Sequence, residues 1–239
     1  MSGHSKWATT KRQKAVVDAK KAAVFTKIAN IISIAARKGG DPDTNFSLRM
    51  AIDKARAVNM PKENIERSIK RGTGELGGNQ LEELIYEGIG PAKSQFIIKS
   101  VTDNKNRSAA AIRHLFSEHG GSLGSVMWNF EQKGIVRIEN SKAGGKNLEN
   151  LELELIENGA DDIKTEEEGI TIYTKMEDLQ KIKNFLDSKD ISTESAEIEY
   201  VAKEEIDLEG EEKEKAEKFI EELDEDEEVS DYYHNISNI

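Results

Sequence analysis

The 239-residue chain has no cysteine, no apolar run approaching the length of a membrane helix, and only four histidines. The first absence excludes disulfides, thiolate zinc sites and cysteine nucleophiles, and it fits a reducing compartment. The second excludes a membrane helix, which needs about 20 consecutive apolar residues. The third leaves little for metal binding. His114 and His119 are five residues apart, about 140° around a helix, so they do not share a metal. The basic start has no apolar segment behind it, and it is rich in lysine rather than in the Arg and Ser of a transit peptide. It therefore reads as mature sequence of a cytoplasmic protein.

Catalytic patterns are also missing. No Gly-Lys-Ser/Thr follows a glycine run, and "GGSLGS" lacks the G-x-S-x-G nucleophile elbow. "GTGELGGN" (Gly72–Asn79) matches G-x-G-x-x-G. A dinucleotide site, however, needs a strand before that motif and a helix after it, and here the order is reversed. The segment reads as an interdomain linker. Acidic pairs are too frequent in the body for any one of them to mark general acid–base chemistry. The expectation is a protein that is not an enzyme, with no cofactor, no metal and no small-molecule substrate.

What is present is a separation of charge. The formal net charge is -12, yet the first forty residues hold nine Lys/Arg and a single acid, Asp18. Residues 1–79 carry +9, residues 133–202 carry -8, and residues 203–239 carry -12. A basic head on an acidic body suits docking of one end on a polyanion.

Hydrophobic period gives the elements. Val24, Phe25, Ile28, Ile31, Ile32 and Ala35 form one helical stripe, ended by Gly39-Gly40. Asp43, Thr44 or Asn45 can cap a second helix carrying Leu48, Ile52, Ala55 and Val58. A third begins at Pro61, carries Ile65 and Ile69, and stops at Gly72. Lys62, Arg67, Lys70 and Arg71 remain for its other faces. Strands over "EELIYEGIGP" and "SQFIIKSV" follow, then the amphipathic helix "NRSAAAIRHLFSEHGG", then two strands around Gly134 in "SVMWNFEQKGIVRIE". The next 70 residues read βαββαβ, the split βαβ order of ferredoxin-like folds. A last helix with Ala216, Phe219, Ile220 and Leu223 and a strand in "EVSDYYHNI" are too small for a core of their own. They are expected to return to the sheet begun near residue 82.

The fold class is therefore α+β: an N-terminal three-helix domain plus two small α/β domains, one inserted in the other. The boundaries are 1–78 for the basic helical domain with its arm, 79–132 and 203–239 for a discontinuous α/β domain, and 133–202 for the inserted βαββαβ domain.

The basic arm is the informative candidate site. Lys6, Lys11, Arg12, Lys14, Lys20 and Lys21 are spaced for repeated contact with phosphates, which confer affinity but little sequence choice. Two readings stand for Trp7: stacking on an unpaired base, or anchoring the arm to the helical domain. Gly3, His4 and Ser5 suit close approach of backbone to a ligand, and equally a disordered terminus. In "TDNKNRSAAAIRH", Arg107 at the helix start, with Arg113 and His114, can receive an anion. Capping together with pairing to Asp103 explains the same residues.

"SGHSKWATTKRQKAVVDAKKAAVFTKI", "AIDKARAVNMPKENIERSIKRG", "YEGIGP", "TDNKNRS" and "IRHLFSEHGGSLG" together closely resemble the YebC/PmpR family, which includes mitochondrial translational activators of cytochrome oxidase. The match runs in order from Ser2 to about Gly134 and continues more weakly to the end. It implies three domains, one inserted in another. It also implies a DNA-binding transcriptional regulator or, as an alternative, a ribosome- or RNA-associated translation factor acting on stalled ribosomes or particular messages. By resemblance, nucleic-acid contact falls to Gly3, His4, Ser5, Lys6, Trp7, Lys11, Lys14, Lys20 and Lys27. The chain departs from the family where Ala92-Lys93 replaces Gly-Gly after the "YEGIGP" turn, a change expected to stiffen or re-aim that turn. A protein-interaction scaffold, with the basic head meeting an acidic protein, is the rival of another class.

Overall fold

The computed structural model describes residues 18–77, 81–140, 148–166 and 169–239, with backbone only for 18–21 and 148–150. The chain divides into two compact units, one of residues up to Asn129 together with 202–239, the other of Phe130–Val201.

The first unit opens with three helices, α1 (Asp18–Ala36), α2 (Phe46–Ala57) and α3 (Lys62–Gly72). Their apolar stripes meet in one core of Ile28, Ile32, Ala35, Leu48, Ile52, Ala55 and Ile65. Of the three candidate caps, Asn45 starts α2. Its Oδ1 accepts from Leu48 N at 3.1 Å, while its Nδ2 donates to the carbonyls of Ala35 and Gly39 at 2.8 and 2.7 Å. One buried amide thus caps one helix and closes the end of another.

A four-stranded sheet follows in the order β3-β1-β2-β8, built from β1 (Glu82–Ile89), β2 (Gln95–Thr102), β3 (Ser122–Leu123) and β8 (Asp231–His234). β8 pairs antiparallel with β2, Phe96 opposite His234, so the C-terminal strand does return to the sheet begun at residue 82. Helices α4 (Lys105–Glu118) and α7 (Gly210–Glu225) bury Ile112, Phe116, Phe219 and Leu223 against the sheet side chains Phe96 and Ile98. The Phe96 and Phe219 rings meet edge to face at 4.9 Å, a favoured aromatic geometry.

The second unit has the strand order β5-β6-β4-β7, with β4 (Phe130–Glu139), β5 (Ala160–Thr165), β6 (Gly169–Thr174) and β7 (Ser195–Ala202). Helices α5 (Leu148–Glu157) and α6 (Leu179–Ser188) are the two crossovers, which gives the βαββαβ arrangement expected from sequence. At its stem the first unit is clasped by Asn129, whose Oδ1 accepts from Glu204 N at 2.8 Å and whose Nδ2 donates to Glu204 O at 2.9 Å.

One element differs from expectation. "SVMWNFEQKGIVRIE" is not two strands around Gly134 but a short 3-10 turn at Met127–Asn129 followed by the single strand β4. Gly134 makes no turn. A Cβ there would lie 2.8 Å from Thr174 Cγ2 and 2.9 Å from Leu179 Cβ, so the glycine allows close approach rather than reversal.

Candidate nucleic-acid interface

Gly3, His4, Ser5, Lys6, Trp7, Lys11, Arg12 and Lys14 lie outside the described residues, and Lys20 and Lys21 are described in backbone alone, on the first turn of α1. The positions with side chains in view are Lys27, Arg107, Arg113 and His114.

Lys27 departs from the phosphate-contact reading. Its Nζ donates to the carbonyl oxygens of Leu223 and Asp224 at the end of α7. Burial pulls the ammonium below its ordinary pKa, against the opposing pull of Asp224, Asp226, Asp231 and Glu225. A cation at the negative end of a helix, satisfying carbonyls that lack intrahelical donors, is a structural contact. Two further side chains, Asn30 of α1 and Arg37 just past its end, reach the sheet region: Asn30 faces Val101 O, and Arg37 donates to Leu81 O at 3.0 Å. Lys27 and Asn30 thus mark the side of α1 given to the rest of the unit.

Arg107 is likewise engaged within the protein. Its Nε donates to Glu228, a second nitrogen donates to Asp103 at 3.1 Å, and Asn104 caps the helix by accepting from Arg107 N at 3.1 Å. The two carboxylates raise the guanidinium pKa, Glu228 most. Arg113 and His114 are exposed on α4, with His114 3.4 Å from Glu118. His119 points elsewhere, 2.8 Å from Glu222. Among the described residues no group of His, Asp or Glu could hold a metal ion, and no helix is long and apolar enough to cross a membrane.

A cluster of exposed cations in the helical part lies on α3. Ile65 is buried and Ile69 packs beside it, which turns Arg67, Lys70 and Arg71 outward. Arg67 donates to the neutral Asn64 Oδ1 at 3.0 Å. Among the described residues no carboxylate pairs with Arg67, Lys70 or Arg71, whereas Lys62 pairs with Glu66 at 3.5 Å. A cation left without an internal partner keeps its charge for an external one. Sequence reasoning counted these residues as basic exterior without assigning them a role. The signal was the helical offset from Ile65 and Ile69.

Two family models match the chain: the TACO1/YebC protein N-terminal domain over residues 5–75, and the TACO1/YebC second and third domain over residues 81–236. A probable transcriptional regulatory protein from Thermoanaerobacter pseudethanolicus is 46% identical, over 99% of this chain and 97% of its own length. Another so named, from Thermotoga maritima, is 46% identical over 98% of this chain and 93% of its own. The crystal structure of a conserved hypothetical protein from Aquifex aeolicus superposes with a TM-score of 0.82 at 37% identity, covering 93% of this chain and 92% of that one. With both models together spanning most of its length, the chain belongs to the TACO1/YebC family.

Proposed function

We propose that the chain is a non-enzymatic, nucleic-acid-binding regulator of gene expression that acts in the cytoplasm, with DNA as its target. The observation that carries this reading is the cation set Arg67, Lys70 and Arg71, exposed on α3 and without carboxylate partners among the described residues. It belongs to the part of the chain with charge +9, whereas residues 203–239 carry -12 and are repelled by any polyanion. Relatives named probable transcriptional regulatory proteins support the regulatory role. Lys6, Lys11, Arg12, Lys14, Lys20 and Lys21 extend the same charge in sequence and are assigned to phosphate contact.

A second reading, an RNA- or ribosome-associated translation factor, has its own observation. α3 is 11 residues long and lies against α1, and its exposed side mixes Glu63 and Glu66 with the cations. That is a poor surface for reading base edges in a major groove and a sufficient one for backbone contact.

The test is a sucrose-gradient profile of the native protein from lysate, with and without selective nucleases. Association lost with DNase alone supports the transcriptional reading. Co-migration with ribosomes that RNase abolishes and DNase spares replaces DNA by RNA as the target. Association that survives both nucleases points to a protein scaffold and ends the nucleic-acid reading.

A further inference from the structure

Between α1 and α3 lies a cleft of about 380 Å³, walled by Phe25 and Asn30 on one side and Asn64, Arg67 and Arg71 on the other, with Leu76 also lining it. Resting on the nucleic-acid reading above, we propose that this cleft seats one unpaired nucleotide of a bound single strand. Its phosphate lies between Arg67 and Arg71, and its base lies against Phe25 and Leu76.

Four features carry the assignment. Among the described residues the walls hold two guanidiniums and no carboxylate, with Glu63 and Glu66 outside the lining, which favours an anion as the occupant. Arg67 is held by Asn64 Oδ1 at 3.0 Å, which orients its fork in advance and lowers the entropy lost on binding. The floor's hydroxyl protons are already taken: Ser33 Oγ shares its one proton between Ala29 O and Ser68 O, and Ser68 Oγ donates to Asn64 O. Polar demand is thus confined to the walls. Leu76, 54% exposed, and the partly buried Phe25 both line the cleft, apolar surface that a bare phosphate would not use and a base would. Arginine and aromatic side chains are the usual platforms for splayed-out bases. The volume lies near the lower end of the roughly 300–1,000 Å³ typical of small-ligand sites, which suits one nucleotide and excludes a duplex or a helix.

The experiment uses the full chain and three probes of one sequence: a 12-nucleotide RNA strand, the matching DNA strand, and the DNA duplex. Each single strand carries one photoreactive 4-thio base. Two variants disturb the cleft differently. Leu76→Ser removes the exposed apolar side chain without adding charge and spares the core, while Ala29→Phe fills the space from α1. Both are expected to weaken single-strand binding by about five- to a hundred-fold, the span of one base–aromatic stack, and duplex binding less than twofold. Cross-links are expected in the peptides holding Phe25 or Leu76. If Ala29→Phe fails to fold by circular dichroism, Leu76→Ser decides alone.

Unchanged single-strand affinity, equal losses on single strand and duplex, or cross-links confined to residues 1–17 would overturn the cleft assignment while leaving nucleic-acid binding intact. A wild-type chain that binds none of the probes removes the underlying reading and the inference with it. Preference for RNA over DNA strands, or the reverse, then tells which polymer supplies the nucleotide.

Discussion

Lys27 Nζ lies 2.7 Å from the carbonyl oxygen of Asp224, so a cation near the basic start of the chain holds the end of the acidic helix α7, almost two hundred residues away. Family resemblance assigns this lysine to nucleic acid, whereas its geometry assigns it to the join between the helices and the sheet. The two roles separate experimentally. Lys27→Met keeps the aliphatic stem and removes the donors, and should cost about 1–3 kcal/mol of stability in urea melts, the range for hydrogen bonds from a charged group. The salt dependence of duplex DNA binding should not change. Replacing Lys6, Lys11 and Lys14 by Ala, by contrast, should flatten the log–log salt slope by up to about 0.9 for each lost phosphate contact. A flattened slope in Lys27→Met would return the residue to the interface.

Glu87 is expected to make stability depend on acidity. Its Oε2 accepts from Val126 N and Met127 N, both at 2.7 Å, and from Ser125 Oγ at 3.2 Å. Burial alone would raise its pKa, but the three donors outweigh it and hold the carboxyl below its ordinary 4.5. The unfolded chain therefore takes up the proton first. The contribution is complete above the unfolded pKa and is lost as pH falls through the folded one. Glu87→Gln should lose about 1 kcal/mol at pH 7, allowing for partial exposure. Urea melts should show that deficit narrowing by pH 3.5, and a constant deficit would mean that the charge plays no part.

Inside the second unit Arg137 and Glu199 form a two-pronged pair at 2.5 and 2.9 Å, with side chains 4% and 6% exposed. Burial works against the guanidinium's charge, but attraction and hydrogen bonding from Glu199 prevail and raise its pKa. Among the described residues Arg137 Nε has no hydrogen-bond partner, so the pair carries a desolvation cost that its bonds do not fully offset. Glu199→Leu alone should destabilise this unit by about 3–5 kcal/mol, because it strands a buried charge. Arg137→Leu combined with Glu199→Leu should recover most of that loss. A double variant as unstable as the single would show that the pair specifies the register of β4 and β7 rather than merely tolerating burial.

Periodicity made the helices legible, because each buries one face and so repeats at 3.6 residues, while the central strands were legible as short apolar, β-branched runs, β6 being buried at every position. Contacts between distant segments leave no such trace. Nothing near Lys27 announces Asp224, and nothing near Arg107 announces Glu228, 121 residues on. Pairing of Arg107 with Asp103 was legible because Asp103 lies just before the helix cap, four residues from Arg107. Gly134 misled for a related reason: a glycine required by a neighbouring strand looks the same in sequence as one required by a turn. The outward cations of α3 were readable from Ile65 and Ile69, but the cleft beside them needed the placement of α1.

The turn after β1 carries backbone strain. Ala92 and Lys93 both adopt left-handed backbone, with φ of 53° and 62°. The turn therefore holds a conformation that glycine accepts freely. A non-glycine residue there costs about 1–2 kcal/mol, while glycine adds about 0.4–1 kcal/mol of unfolded-state entropy. Changing both positions to Gly should raise stability by about 1 kcal/mol net, seen as a higher urea midpoint at unchanged slope. A lower midpoint would mean that these side chains make contacts worth more than the strain.

Gly72 tests how closely α1 and α3 must approach. Its φ is not among the left-handed ones, so conformational freedom does not explain it. An added Cβ would lie 2.2 Å from the carbonyl oxygen of Ser33 and 2.7 Å from Ala36 Cβ. Most of that obstruction is backbone and cannot rotate away. Gly72→Ala should push α3 off α1, stretch the 2.9 Å bond from Ser33 Oγ to Ser68 O, and cost about 1–3 kcal/mol as an overpacked contact. Gly124→Ala is the control: its φ is not left-handed, and among the described residues a Cβ there meets nothing within 4 Å. That change should be neutral or stabilising by about 0.4–1 kcal/mol. The same displacement widens the cleft that Arg67 and Arg71 line, so Gly72→Ala should also weaken single-strand binding at a temperature where the chain is still folded. Lost stability with intact single-strand affinity would separate the helix contact from the site and leave the cleft without the narrow geometry assigned to it.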